Sequence, residues 1–210
     1  MRILPALALV LSISATAYGQ KDPYEEDTRT LITAGKLENK TYSNSHAGFV
    51  VRMPQTPCQP APDTPVNEGK GSATLLACVH DVKGGGAYTF SIITDSWTRY
   101  HLVDIGQYVR GLRRLGEHVP GHPGQLDPNT KVIEPETPRK WAGLDFQELI
   151  MSIIRSDRLY YSGVTCTHLK DYVLCFKAEA ATPVLVHALL MLEGKLEITA
   201  TPLVHPRRKK

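Results

Sequence analysis

Cys166 and Cys175 constrain the fold of this chain more than any other pair of residues in it. They flank the polar stretch His168-Leu169-Lys170-Asp171, with Thr165 and Thr167 before it and Tyr172, Val173 and Phe176 after it. Strand-forming residues on both sides of a short polar break predict a β-hairpin, here with its turn centred on Lys170-Asp171. Symmetry about that centre sets the two cysteines directly opposite each other, where cross-strand Cβ atoms lie about 4.5–5.5 Å apart. A small adjustment from that spacing satisfies disulfide geometry. Cys58 and Cys78 are then left for each other, and of the three pairings that four cysteines allow this is the one expected. It would staple the proline-rich stretch between them. The CxxC spacing of redox and zinc sites is absent.

An even cysteine count is informative only with a compartment attached, and the N-terminus supplies one. Arg2 is followed by an apolar run from Ile3 to Ser14 and then by Ala15, Ala17 and Gly19. That order predicts a signal peptide over residues 1–19, cleaved after Gly19 or, as second choice, after Ala17. The run is shorter than the ~20 residues a membrane-spanning helix needs, and no cysteine near the cleavage region could accept a lipid. A secreted or periplasmic location and an oxidised thiol set are the expectations, with no transmembrane segment in the mature chain. Removing 1–19 leaves 191 of the 210 residues, enough for one domain with one core. The 24 basic and 21 acidic side chains nearly cancel, and four of the basic ones form the terminal run Arg207-Arg208-Lys209-Lys210. Without that tail the domain is mildly acidic, so no nucleic-acid surface is expected. The tail, residues 202–210, is read as an end that could make weak contact with an acidic surface.

Residues 20–40 are polar and predict a flexible leader, with a weak helical signal over 28–37. The globular domain is expected over 41–201. Its strands are read at 48–53, 73–80, 87–94, 131–134, 144–154, 158–167, 172–178 and 195–201. Residues 55–71 are a proline-rich surface loop and Lys83-Gly84-Gly85-Gly86 is a turn, not a phosphate loop, because GxxxxGK[ST] is absent. Leu102, Ile105, Val109, Leu112 and Leu115 recur at spacings of three and four and predict a helix over 97–115, with Asp95 as its cap and Gly116 as its end. Residues 117–130 are read as loop. Thr182 followed by Pro183 predicts a capped helix that Gly194 closes.

The opening Tyr42-Ser43-Asn44-Ser45-His46-Ala47-Gly48-Phe49, with Val51 and Pro54 after it, resembles the first hairpin of exported bacterial proteins of the PsbP/Mog1 group. The stretch Asp171-Tyr172-Val173-Leu174-Cys175-Phe176, then Ala180 and the Thr182-Pro183 helix, is similar to the strand-to-helix ending of that group. The resemblance covers most of residues 41–201 and implies an α+β fold, an antiparallel sheet flanked by helices in an α/β/α sandwich. It implies an accessory, binding or assembly role rather than one shared reaction.

Candidate chemistry is sparse. His118 and His122 are four apart with Glu117 adjacent, but Pro120, Gly121 and Pro123 break the helix that would align them, and HExxH is absent. GxSxG and SxxK are absent as well. His46 and His187 read as surface or satisfied core residues. Asp145 and Glu148 point to opposite faces of a strand. Asp95 and Asp104 could meet near the start of the long helix, and Trp97, Tyr100 and Tyr108 either pack in the core or line a groove beside it. The expectation is therefore a non-catalytic exported domain, with no catalytic, cofactor or metal residue assigned, that binds an unknown protein or small molecule. The alternative is a metal-dependent or other hydrolase built on His118 and His122.

Overall fold

The computed structural model describes residues 23–53, 58–60, 72–82 and 86–199. The segment 1–19, most of the loop 55–71, the turn at 83–85 and the tail 202–210 lie outside the described residues. In chain order the elements are α1 Pro23–Thr33, β1 Gly35–Glu38, β2 Thr41–Asn44, β3 Phe49–Arg52, β4 Cys58–Pro60, β5 Ser72–Val82, β6 Gly86–Ser96 and α2 Ile105–Glu117. They continue with β7 His118–Val119, β8 His122–Leu126, β9 Thr130–Trp141, β10 Leu144–Arg155, β11 Arg158–Leu169, β12 Tyr172–Ala180, α3 Pro183–Leu190 and β13 Leu196–Ile198. No helix among the described residues is long and apolar enough to cross a membrane.

The strands form a seven-stranded antiparallel sheet, ordered β4-β5-β6-β12-β11-β10-β9, and a four-stranded one, ordered β1-β2-β3-β13. With three helices among the described residues, this is an α+β chain dominated by antiparallel sheet. Tight turns set much of the register. Asn39-Lys40, Ala142-Gly143 and Ser156-Asp157 each place two consecutive residues at positive φ, the twist that two-residue hairpin loops require.

Because side chains alternate across a strand, the large sheet has two chemically distinct faces. One face carries Phe90, Ile92, Phe146, Ile150, Leu174 and Phe176, all 0–1 % exposed, and meets Tyr42, Phe49 and Val51 of the smaller sheet. We call this the inner face; α1 reaches it through Leu31 and α3 through Val186 and Leu190. The other, outer face carries Leu149, Cys166, Val173 and Cys175, and α2 packs on it through Val109.

Several expectations are corrected by this arrangement. Ordered structure is present well before Thr41, because α1 buries Leu31 and Thr28. Buried Asn44 reinforces it by donating to the Leu31 carbonyl at 2.7 Å. The same Asn44 accepts from the Ala47 N–H at 2.9 Å, and Gly48 supplies a positive φ at the end of the turn. That accounts for the Tyr42-to-Phe49 pattern in physical terms.

The long helix starts eight residues later than its apolar spacing predicts. His101 turns the chain at positive φ, and Asp104, not Asp95, caps α2 by accepting from the Gln107 N–H at 2.7 Å. Leu115, placed on the apolar stripe by its spacing, is 76 % exposed. Residues 117–130 are not a plain loop but hold the small β7–β8 hairpin, and the strand expected over 131–134 extends from Thr130 to Trp141. Thr182 caps α3 and Pro183 opens it, but the helix ends at Leu190, ahead of Gly194.

Candidate functional site

The hairpin at Lys170-Asp171 places the Cys166 backbone opposite that of Cys175, and the two sulfurs are bonded beneath α2. Cys78 is disulfide-bonded as well, and the backbone of Cys58 lies directly across from it between β4 and β5.

Beside α2 no described residue covers the outer face. Alternate positions of four neighbouring strands open there into a cleft of about 370 Å³. Its apolar wall consists of Ile93, Met151, Ile153 and Val164 with Leu112 of α2, and Cys175 belongs to its floor. Gly116 of α2 faces the Met151 thioether at this edge, its Cβ position lying 2.7 Å from the Met151 methyl.

Polar groups sit at two poles. At one, Asp95 is 7 % exposed and accepts hydrogen bonds from the hydroxyls of Ser72 and Tyr108. Burial pushes its carboxyl up to about 6, against the Tyr108 hydrogen bond and the Arg99 cation, which pull it down. Tyr108 is pushed far above the ordinary phenol range by burial first and by the Asp95 charge second. At the other pole, Glu179 bridges Lys177 at 2.9 Å and Arg155 at 3.1 Å. Burial raises the Glu179 carboxyl, but these two cations together outweigh burial and hold it below its usual value. Asp95 pairs with Val173 in the ladder, and Glu179 lies six residues further along the same strand, so the poles are about 20 Å apart. A second hollow of about 460 Å³ adjoins that end, sharing Arg155 and Glu179 and adding Arg158, Tyr160, Thr89 and Ser156.

This site differs from what residue spacing proposes. Asp95 is a buried hydrogen-bonded carboxylate, and Asp104 does not join it. Of the three aromatic groove candidates only Tyr108 lines the cleft. Trp97 packs with the apolar cluster under α2 and stacks on His168 at 3.6 Å, while Tyr100 is 45 % exposed. One signal for the cleft does exist in the sequence. Ile93 and Asp95 in one strand, with Cys175, Lys177 and Glu179 in another, alternate onto a single face.

His118 and His122 fall on the paired strands β7 and β8. His118 Nδ1 lies 2.6 Å from the Arg114 carbonyl, His122 is exposed, and neither joins a group of three potential metal ligands among the described residues. Such a group does form on the inner face from Glu134, Glu148 and His187. His187 Nε2 is 2.7 Å from Glu134 and its Nδ1 is 3.5 Å from Glu148, which Arg139 also contacts at 3.1 Å. A cation would have to displace Arg139 and free a ring nitrogen, so the cluster acts as an ion network that ties α3 to β9 and β10. His46 likewise has a bridging role. With Asp27 and Tyr172 it forms a cluster of contacts between 2.8 and 3.0 Å that fastens α1 to the β2–β3 turn and to the start of β12.

No protein-family model matches the chain, and no curated protein matches it. Solved structures of similar shape include LpqN, involved in cell envelope biogenesis of Mycobacterium tuberculosis. That likeness has 9 % sequence identity and a TM-score of 0.45, over 72 % of this chain and 83 % of that one. Another is PA94, a protein of unknown function and putative regulator from Pseudomonas aeruginosa, with 12 % identity and a TM-score of 0.40 over 61 % of this chain and 84 % of that one.

Proposed function

We propose that the chain is an exported, non-catalytic binding module of the PsbP/Mog1-like sandwich type, and that the cleft beside α2 is where it holds a small, largely apolar ligand. The cleft carries this reading. At about 370 Å³ it falls in the range of small-molecule sites, which are mostly apolar with a few fixed polar groups. The commitment of both Asp95 oxygens to hydroxyl donors supports a binding role for this pole. Export is supported by the reading of residues 1–19 and by disulfides of the kind that persist in oxidising compartments.

Titration with a neutral solvatochromic dye such as Nile red tests the cleft. We expect saturable binding of one dye per chain, weakened at least tenfold by Met151→Trp, which fills the cleft, with the unfolding midpoint retained. Absence of saturable binding, or binding that Met151→Trp leaves unchanged, would remove the proposal.

A further inference from the structure

Resting on the cleft reading, we infer that the natural occupant is a single-chain anionic amphiphile, a fatty acid whose alkyl chain lies along the cleft and whose carboxylate sits at the Arg155–Arg158 end. The two poles of the cleft dictate this orientation. At the Asp95 end both carboxylate oxygens already accept hydroxyl hydrogen bonds and the Arg99 cation is already engaged with the Asp95 charge, so an anionic head finds no open donor or spare positive charge there.

At the opposite end the described lining residues supply three cations, Arg155, Arg158 and Lys177, against the one carboxylate of Glu179. Asp157 lies in the same turn but does not line either hollow. The local excess of two positive charges matches an anion, and the guanidinium groups suit a planar carboxylate. Arg155 is held by Glu179 at 3.1 Å and is still 57 % exposed at its side chain, so it can turn toward an incoming head. Because the two hollows share Arg155 and Glu179, one molecule can place its chain in the first and its head in the second. The apolar stretch between the poles is lined by Ile93, Leu112, Met151, Ile153 and Val164, with no charged group midway among the described residues. Its volume suits one alkyl chain rather than the two of a diacyl lipid, since sites of this size hold a single drug-sized ligand.

Calorimetric titration of the mature protein with laurate and with 1-dodecanol, both below their aggregation limits, tests the inference. Laurate is expected to bind at least tenfold more tightly than dodecanol, and added salt should narrow that ratio. Arg158→Glu, at an exposed rim position, is expected to weaken laurate at least tenfold and to leave dodecanol within twofold. Equal affinities, or an Arg158→Glu variant that binds laurate as the parent does, would overturn the anionic occupant while Nile red binding leaves the cleft itself standing. Failure of laurate, dodecanol and Nile red together would sink both readings.

Discussion

A carboxylate 7 % exposed, with hydroxyl donors on both oxygens, has a stability cost that can be read from pH alone. The Asp95 carboxyl is raised from 3.8 to about 6, so the folded chain binds its proton more tightly than the unfolded chain does. Stability from this group is therefore greatest at low pH and falls as pH rises from about 4 to about 6. A shift of about two units at ~1.4 kcal/mol each corresponds to a loss of about 3 kcal/mol. Asp95→Asn keeps the site polar and removes the titration. Urea unfolding at pH 4 and pH 7 should show the variant gaining on the parent by up to that amount at the higher pH. A pH-independent difference, or one of opposite sign, would show that burial is not what shifts the group. Residue spacing could not reveal this site, because Ser72, Asp95 and Tyr108 meet only after β5 pairs with β6 and α2 folds back over them. From the sequence, Asp95 has the ordinary look of a cap.

The elements where local chemistry and tertiary packing agree were legible. The β11–β12 hairpin follows from a polar break between strand formers, and its Cys166–Cys175 register is the one that symmetry predicts. Thr182-Pro183 opens α3 for reasons contained in those two residues. What was not legible depended on partners far along the chain. Residues 23–33 look like a polar leader until Leu31 finds the inner core, and α2 starts late because His101 takes a positive φ that no periodicity announces.

Close approach between elements gives a sharper prediction. Gly163 in β11 lies under α3, where a Cβ would overlap the Val186 side chain and sit 2.8 Å from Leu190. Gly163→Ala should cost about 1–3 kcal/mol by overpacking, because the Val186 and Leu190 side chains must shift to admit the methyl. Denaturant unfolding checks it, and a neutral substitution would mean that α3 is held less tightly than described.

The whole molecule is an antiparallel sheet with two unequal faces. Among the described residues, the inner face is closed by a second sheet and two helices, whereas the outer face is partly closed by α2. The Cys166–Cys175 bond underlies that outer face and closes a loop of sequence separation 9. The chain-entropy relation gives about 2.5 kcal/mol for such a loop. Replacing both cysteines with alanine should lower stability by roughly that much, measured by denaturant unfolding under non-reducing conditions. An unchanged midpoint would indicate that the bond adds nothing to the fold. Non-reducing mass spectrometry of protein purified from its producing cells separately tests the export proposal, which predicts loss of residues 1–19 and four oxidised thiols. An intact leader or free thiols would contradict it.

The binding reading turns on the outer face, and the methionines offer a direct probe of it. Met151 lines the cleft, whereas Met53 is buried in the inner core and Met191 follows α3. In a sample labelled with ¹³C at the methionine methyls, titration with laurate should move the Met151 resonance saturably and leave those of Met53 and Met191 in place. A Met151 methyl that stays fixed while ligand binds, or equal movement of all three, would contradict a ligand site beside α2.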